Sequence, residues 1–213
     1  MILAAAASLQ FPVAGTYKYA ASLNGQPVGQ WTVSVKQADA GTEIDETSSA
    51  SLAGMQLSAT ATLMLGPDLA PTKYDGNYHT PSQNPTVGVA LSPTSAVVTG
   101  SLTGGPRNLA LGANTRHFVV IEPGLLAGLF ALPAQVASWR DPSVTWIAPV
   151  TGQAQSLAVN SSASSTRPNA VPPQDAAIAI QAQTPLTIWY DPTTLVSDEI
   201  VIPSQNAVLT RER

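Results

Sequence analysis

The sequence predicts an all-β fold: mainly a curved antiparallel sheet forming an open or partly closed barrel, with one short helical segment near residues 122–139. Three observations carry this prediction. Apolar and polar residues alternate along most of the chain, which is the period of strands. Gly and Pro clusters interrupt the alternation at intervals too short for crossover helices, so parallel βαβ units are disfavoured and an antiparallel meander is expected. Helical spacing is confined to one leucine-rich segment.

At 213 residues the chain is long enough to bury a real core. Residues 1–10 read as a remnant of an export signal or a disordered N-terminus. The run "MILAAAASLQFP" is apolar and ends in small residues, but it lacks a basic start and is too short to span a bilayer. Residues 11–213 then make a single β-rich domain. Its clearest element is the hairpin "TYKYAASLNGQPVGQWTVSVK". Tyr17 and Tyr19 share one face of the first strand, and Trp31, Val33 and Val35 share one face of the second. Asn24-Gly25 between them supplies the positive φ angles of a type I′ turn.

"GTEIDETSSAS" reads as a polar, exposed strand. "QLSATATLML" reads as a half-buried one, with Leu57, Ala59, Ala61, Leu63 and Leu65 on the inner face. Short strands follow at "TVGVALS", "SAVVTGSL", "HFVVIE", "SVTWIAPV", "SLAVNSS", "AAIAIQAQ", "LTIWYD", "EIVIPSQ" and "AVLTRE". In "EPGLLAGLFALPAQVASW", Leu125, Leu126, Leu129, Phe130 and Leu132 recur at helical spacing, with Glu122 and Pro123 at the entrance. Pro133 breaks or restarts that helix, whose expected place is over an open end or concave face of the sheet. "NSSASSTRPNAVPPQD", residues 160–175, reads as a long loop between strands of one sheet, because too few residues follow it for an independent core. In "LTIWYDPTTLV", Leu186, Ile188 and Tyr190 share a face, Trp189 takes the other, and Asp191-Pro192 starts a turn.

Composition narrows the function. Charged residues are 10% of the chain, and 9 Lys+Arg against 13 Asp+Glu give a net charge of −4, too few cations to line a phosphate-tracking groove. Nucleic acid is therefore not an expected partner. The absence of cysteine removes disulfides, thiol nucleophiles and thiolate metal sites together. Low charge with abundant Ser, Thr, Ala and Pro fits a periplasmic or secreted bacterial protein.

Residues able to do chemistry are sparse. In "KYDGNYHT", Asp75, Asn77 and His79 stand at alternate positions, the spacing that would seat a hard ion if the segment is a strand. The favoured reading is a polar turn with Asp75-Gly76 at its tip. His117 beside Arg116 reads as structural or exposed. Glu43 and Asp45 share a strand face and, with Glu46, Asp198 and Glu199, look solvated. No G-x-S-x-G elbow or phosphate-binding loop occurs. No catalytic residue, resident metal or cofactor is expected, and the chain reads as a non-enzyme. The remaining candidates are Tyr17, Tyr19, Trp31, Trp146 and Trp189, aromatics that either pack across strands or line a cavity for an apolar ligand.

The order of these features, from "NGQPVGQWTVSV" through "LAPTKYDGNY" and the leucine-rich helix to "LTIWYDPTTLVSDEIVIPSQN", resembles exported bacterial domains of unknown function built as a half-barrel or spiral β-roll. More distantly it is similar to periplasmic lipoprotein carriers of the Lol type. In such families a G-x-x-V-G phrase, here Gly25, Val28 and Gly29, recurs early. The resemblance implies a non-enzymatic envelope protein with a concave apolar surface. It carries over no functional residue. The expected function is binding or scaffolding, with an apolar small molecule, a lipid or a protein segment held on the curved sheet. The alternatives are an assembly subunit pairing through its sheet edges, and an envelope hydrolase using Asp75, His79 or the Glu43 and Asp45 pair.

Overall fold

The computed structural model describes residues 10–38, 41–111, 117–122, 124–160, 166–182 and 184–213. Residues 1–9 of the expected N-terminal remnant, Arg116, Pro123 and residues 161–165 of the 160–175 loop lie outside them. Fifteen strands form one sheet. The first eight are β1 (Gly15–Leu23), β2 (Gln26–Ala38), β3 (Gly41–Leu52), β4 (Met55–Leu65), β5 (Pro71–His79), β6 (Thr86–Ser92), β7 (Ser95–Thr99) and β8 (Arg107–Ala110). The rest are β9 (Phe118–Val120), β10 (Ser143–Ala148), β11 (Gln153–Asn160), β12 (Ala176–Gln181), β13 (Leu186–Tyr190), β14 (Ser197–Ile202) and β15 (Ala207–Arg211). The helix α1 (Ala127–Trp139) lies between β9 and β10 in the chain.

Two meanders meet at the centre of the sheet. Strands β8 to β1 run in reverse chain order on one side, β15 to β9 on the other, and β1 pairs antiparallel with β15. The edges are therefore β8 and β9, which are neighbours in sequence. Laid flat, fifteen strands would separate these edges by about 65 Å at the usual inter-strand spacing. The chain from Ala110 to Phe118 reaches at most about 28 Å when fully extended. Connectivity thus forces the sheet to curl without closing, and β9 comes back to lie close to β5.

The first hairpin is built as expected. Asn24 and Gly25 have φ of 51° and 75°, and Tyr17 pairs with Val33 and Tyr19 with Trp31. β11 and β12, which flank the 160–175 loop, pair with each other in the same sheet. Three expectations need correction. One pair of strands is parallel, β9 with β10, joined through α1 as a single crossover unit. The Asp75-Gly76 dipeptide is not a turn but the middle of β5. The helix starts at Ala127, later than Glu122, and runs unbroken through Pro133. Proline costs a helix interior about 3 kcal/mol, and burial of the whole stretch from Ala127 to Gln135 offsets it.

That continuous burial makes α1 an interior plug and not a lid, since a helix apolar all round belongs inside a core. It packs against β3 and β4 of one meander and against β9 and β13 of the other. Gly128 permits the closest approach: a Cβ there would lie 1.7 Å from the Val120 carbonyl oxygen. Phe130, fully buried, meets Tyr17 with ring centroids 5.4 Å apart and Tyr19 edge-on at 6.4 Å. A smaller cluster on the other face of the sheet holds Val171, Ala177 and Trp189.

Candidate functional site

Antiparallel register lays the inward side chains of β1 to β7 in rows that cross the sheet, and three successive rows differ in bulk. The first runs Val35, Ile44, Leu63, Tyr74, Val89 and Val98. All six are at most 3% exposed. The second runs Val33, Glu46, Ala61 and Gly76. Its small members make room for the start of α1, where Leu125 Cδ1 would stand 3.2 Å from a Cβ added at Gly76. The third runs Trp31, Ser48, Ala59 and Tyr78, and all four line a cavity of about 620 Å³.

This cavity occupies the end of the roll that α1 does not fill. Leu57, Leu125, Leu129, Trp146, Ile180 and Leu209 supply much of its wall, so both meanders and the helix contribute. The hollow follows from residue size. Ser48, Ala50 and Ala59 stand where the packed end of the same strands carries Ile44 and Leu63. The two indole N–H groups are already committed: Trp31 Nε1 donates to the Gly124 carbonyl at 3.3 Å, and Trp146 Nε1 to the Ile121 carbonyl at 2.9 Å. They hold the loop before α1 against the sheet and leave the ring faces to the cavity.

Carboxyl groups stand at the helix end of this space. Glu46, 1% exposed, accepts through Oε2 from the backbone N–H of Leu126 at 2.6 Å and of Ala127 at 2.7 Å. Leu126 has no side chain able to cap α1, so a β3 residue caps it from across the interior. Burial pushes the Glu46 carboxyl up to about 7, against the pull of those two donors. Its Oε1 and the buried Tyr74 hydroxyl make no hydrogen bond among the described residues. Glu122 lines the cavity and accepts from Val150 N–H through Oε2 at 3.1 Å. Burial pushes Glu122 to about 7 as well. The Tyr74 and Tyr78 phenols are raised by burial first and then by neighbouring charges, both of these carboxylates among them.

The aromatic candidates divide. Trp31 and Trp146 line the cavity. Tyr17 and Tyr19 pack on Phe130 instead, and the Tyr19 hydroxyl donates to the Ser197 carbonyl at 2.8 Å. Trp189 faces away from the interior, in the Val171 cluster, with the Arg167 guanidinium 4.6 Å from its ring centroid. Thr193 N–H donates to Asp191 Oδ1 at 2.7 Å, which forms the expected turn after it.

The polar candidates do not assemble. Asp75 pairs with Lys73 at 2.6 Å, and exposed His79, at the cavity rim, meets Asn84 at 3.0 Å. Glu43 and Asp45 both hold Lys36, at 2.8 and 2.6 Å, on the outer face. Among the described residues no group of three or more His, Asp or Glu could hold a metal ion. His117 bonds Asp141 at 2.9 Å and stacks on Trp139. Asp198, expected to be solvated, is buried beside Arg211 at 2.6 Å, and burial and Asp198 together raise nearby Asp175 to about 7. Neither acid lines the cavity.

Glu46 is the correction that matters most, because it was expected to be solvated with Glu43 and Asp45. The signal for its burial was the alternation itself: Thr42, Ile44 and Glu46 share the inner face, and all three are buried.

No protein-family profile matches the sequence, and no curated protein is similar to it. A solved structure with a similar trace is that of a DUF1089 family protein from Pseudomonas aeruginosa, with a TM-score of 0.48, 8% identity, and 96% of this chain and 98% of that one covered. At that level the likeness says nothing about what the chain binds or does.

Proposed function

We propose that the chain is a binding protein that houses an apolar small molecule inside the roll. One observation carries this reading: a cavity of about 620 Å³ walled by aliphatic and aromatic side chains, left hollow by small residues on strands that are otherwise tightly packed. Its volume falls within the range of ligand sites, and a wall of this kind with a few polar groups is what such sites have in common. A folded chain does not ordinarily leave so large an apolar hollow open to water, and such surfaces mark binding sites.

The test is titration with N-phenyl-1-naphthylamine, a neutral apolar dye that brightens on leaving water. Saturable binding at one dye per chain is expected, and its loss in the Ala50→Phe/Ala59→Phe double variant. Dye binding that is unsaturable, or that survives this filling, ends the proposal.

The other two readings have less support. Edge pairing meets a β9 edge that is wholly buried and a β8 edge of only four residues. The hydrolase reading finds its carboxylates ion-paired to lysines on the outer face. A location outside the cytoplasm goes with the binding role, supported by the 10% content of charged residues and tested by fractionating cells that express the protein from its native gene. Among the described residues no helix is long and apolar enough to cross a membrane.

A further inference from the structure

We infer that the ligand is an amphiphile whose polar end donates hydrogen bonds, an alkyl alcohol or amine, and that the cavity discriminates against carboxylates and phosphates of the same chain length. This deepens the binding reading above and rests on it.

The inference comes from the sign and hydrogen-bonding sense of the groups around the cavity. Among the described residues, no lysine or arginine lines it. The one ionisable group within it besides the Tyr78 phenol and the rim residue His79 is the Glu122 carboxylate, and Glu46 stands behind it at the α1 terminus. Ser22, Ser58, Thr80, Thr184 and Gln205 also line the cavity, but at the helix end, beside Glu122, the donors that an anion would need are spent. Both indoles are bonded to backbone carbonyls, and the Ser48 hydroxyl is directed to the Ala59 carbonyl at 3.4 Å. The Leu126 and Ala127 amides, which would otherwise make the helix N-terminus an anion site, are taken by Glu46.

Acceptor capacity is what remains. A carboxylate offers about four lone-pair sites, and the structure fills one on Glu122 Oε2, from Val150. An anionic headgroup seated beside Glu122 would therefore lose its water, gain none of these committed donors and face two carboxyls. A hydroxyl or ammonium would find an acceptor in an apolar surround, where such a bond is strongest.

The experiment displaces N-phenyl-1-naphthylamine from the intact chain at pH 8 with dodecylamine, dodecanol and laurate, each below its micellar concentration. The amine and the alcohol should displace the dye at concentrations at least about ten-fold below that of laurate, a difference that one charge-assisted hydrogen bond supplies. Glu122→Gln, which keeps an acceptor for Val150 N–H, should shrink the advantage of the amine over the alcohol to within about three-fold while the dye still binds. Because burial places the Glu122 carboxyl near neutrality, lowering the pH to 5.5 should shrink the same advantage without any substitution. Tyr78 and Tyr74 stay neutral over that range, and Glu46 titrates with Glu122 and in the same sense. Laurate equal to or better than the amine overturns the inference while leaving the cavity reading intact. An amine advantage unchanged by both Glu122→Gln and acid overturns the role given to Glu122. Failure of the dye itself to bind removes both readings together.

Discussion

Two rows on the same strands behave in opposite ways. The row Val35, Ile44, Leu63, Tyr74, Val89 and Val98 is packed solid, and the row Trp31, Ser48, Ala59 and Tyr78 borders an open hollow. Between them stands the row of Glu46, where α1 begins. Backbone, strand pairing and curvature are shared, so the difference lies in side-chain volume and in where the helix begins. A hollow in a β-roll is thus set by a handful of alanines and serines together with the length of the plug.

The comparison can be broken by substitution, and the largest effect is expected at the packed end. Leu63→Ala should cost about 3 kcal/mol in denaturant unfolding, because a cavity opens where nothing can collapse into it. Leu57→Ala on the same strand borders existing space and should cost about 1 kcal/mol or less. Equal losses would show that the two ends are equally well packed.

At the dividing row, Glu46→Ala should cost about 2 kcal/mol by leaving the Leu126 and Ala127 amides buried without an acceptor. Glu46→Gln keeps an acceptor and should cost less. It should also change the pH dependence. The folded-state Glu46 carboxyl is raised from about 4.5 to about 7, so its ionisation opposes folding. Stability from this group is full below about pH 4.5 and is lost as pH rises through about 7. Unfolding midpoints measured between pH 4.5 and 8 should therefore fall in the natural chain and fall less steeply in the Gln variant, with Glu122 and Asp175 supplying remaining slope.

Enlargement sharpens the contrast further. Ala131→Leu, in the fully buried part of α1, should cost about 1–3 kcal/mol through overpacking. Ala59→Leu should move stability by less than about 0.5 kcal/mol, since space is waiting, and should weaken dye binding. The smallest effect belongs to the outer face: Lys36→Ala removes two ion pairs to Glu43 and Asp45 and should leave the unfolding midpoint unmoved.

Much of this was legible from residue order. Two-residue alternation placed Tyr17 with Tyr19 on one face of the first strand and Trp31 with Val33 and Val35 on one face of the second, and Asn24-Gly25 placed the turn. Trp31 and Trp146 were recognisable as candidates for a cavity wall. What local pattern could not supply was partnership across the chain. Glu46 looked solvated because its neighbours are Asp45 and Thr47, yet its environment is made by Leu126 and Ala127, far along the sequence. Trp189 had the right type and the wrong face, because its cover comes from Arg167 and Val171 in the preceding loop. The strands at "HFVVIE" and "SVTWIAPV" and the helix between them were each legible, but their parallel pairing was not, because strand direction is set by partnership and leaves no mark on local alternation.

The seam between β1 and β15 has a consequence for the birth of the fold. Tyr19 must find Arg211, the most distant partnership in the sheet, whereas nearly every other strand pairs with a chain neighbour. Each meander can zip up from its own hairpins as it leaves the ribosome, but the midline waits for β15, and loop closure over all the strands between β1 and β15 makes that step slow. Until then both halves display a bare inner edge, so the interval before the midline closes is when this protein is most exposed to pairing with the wrong neighbour.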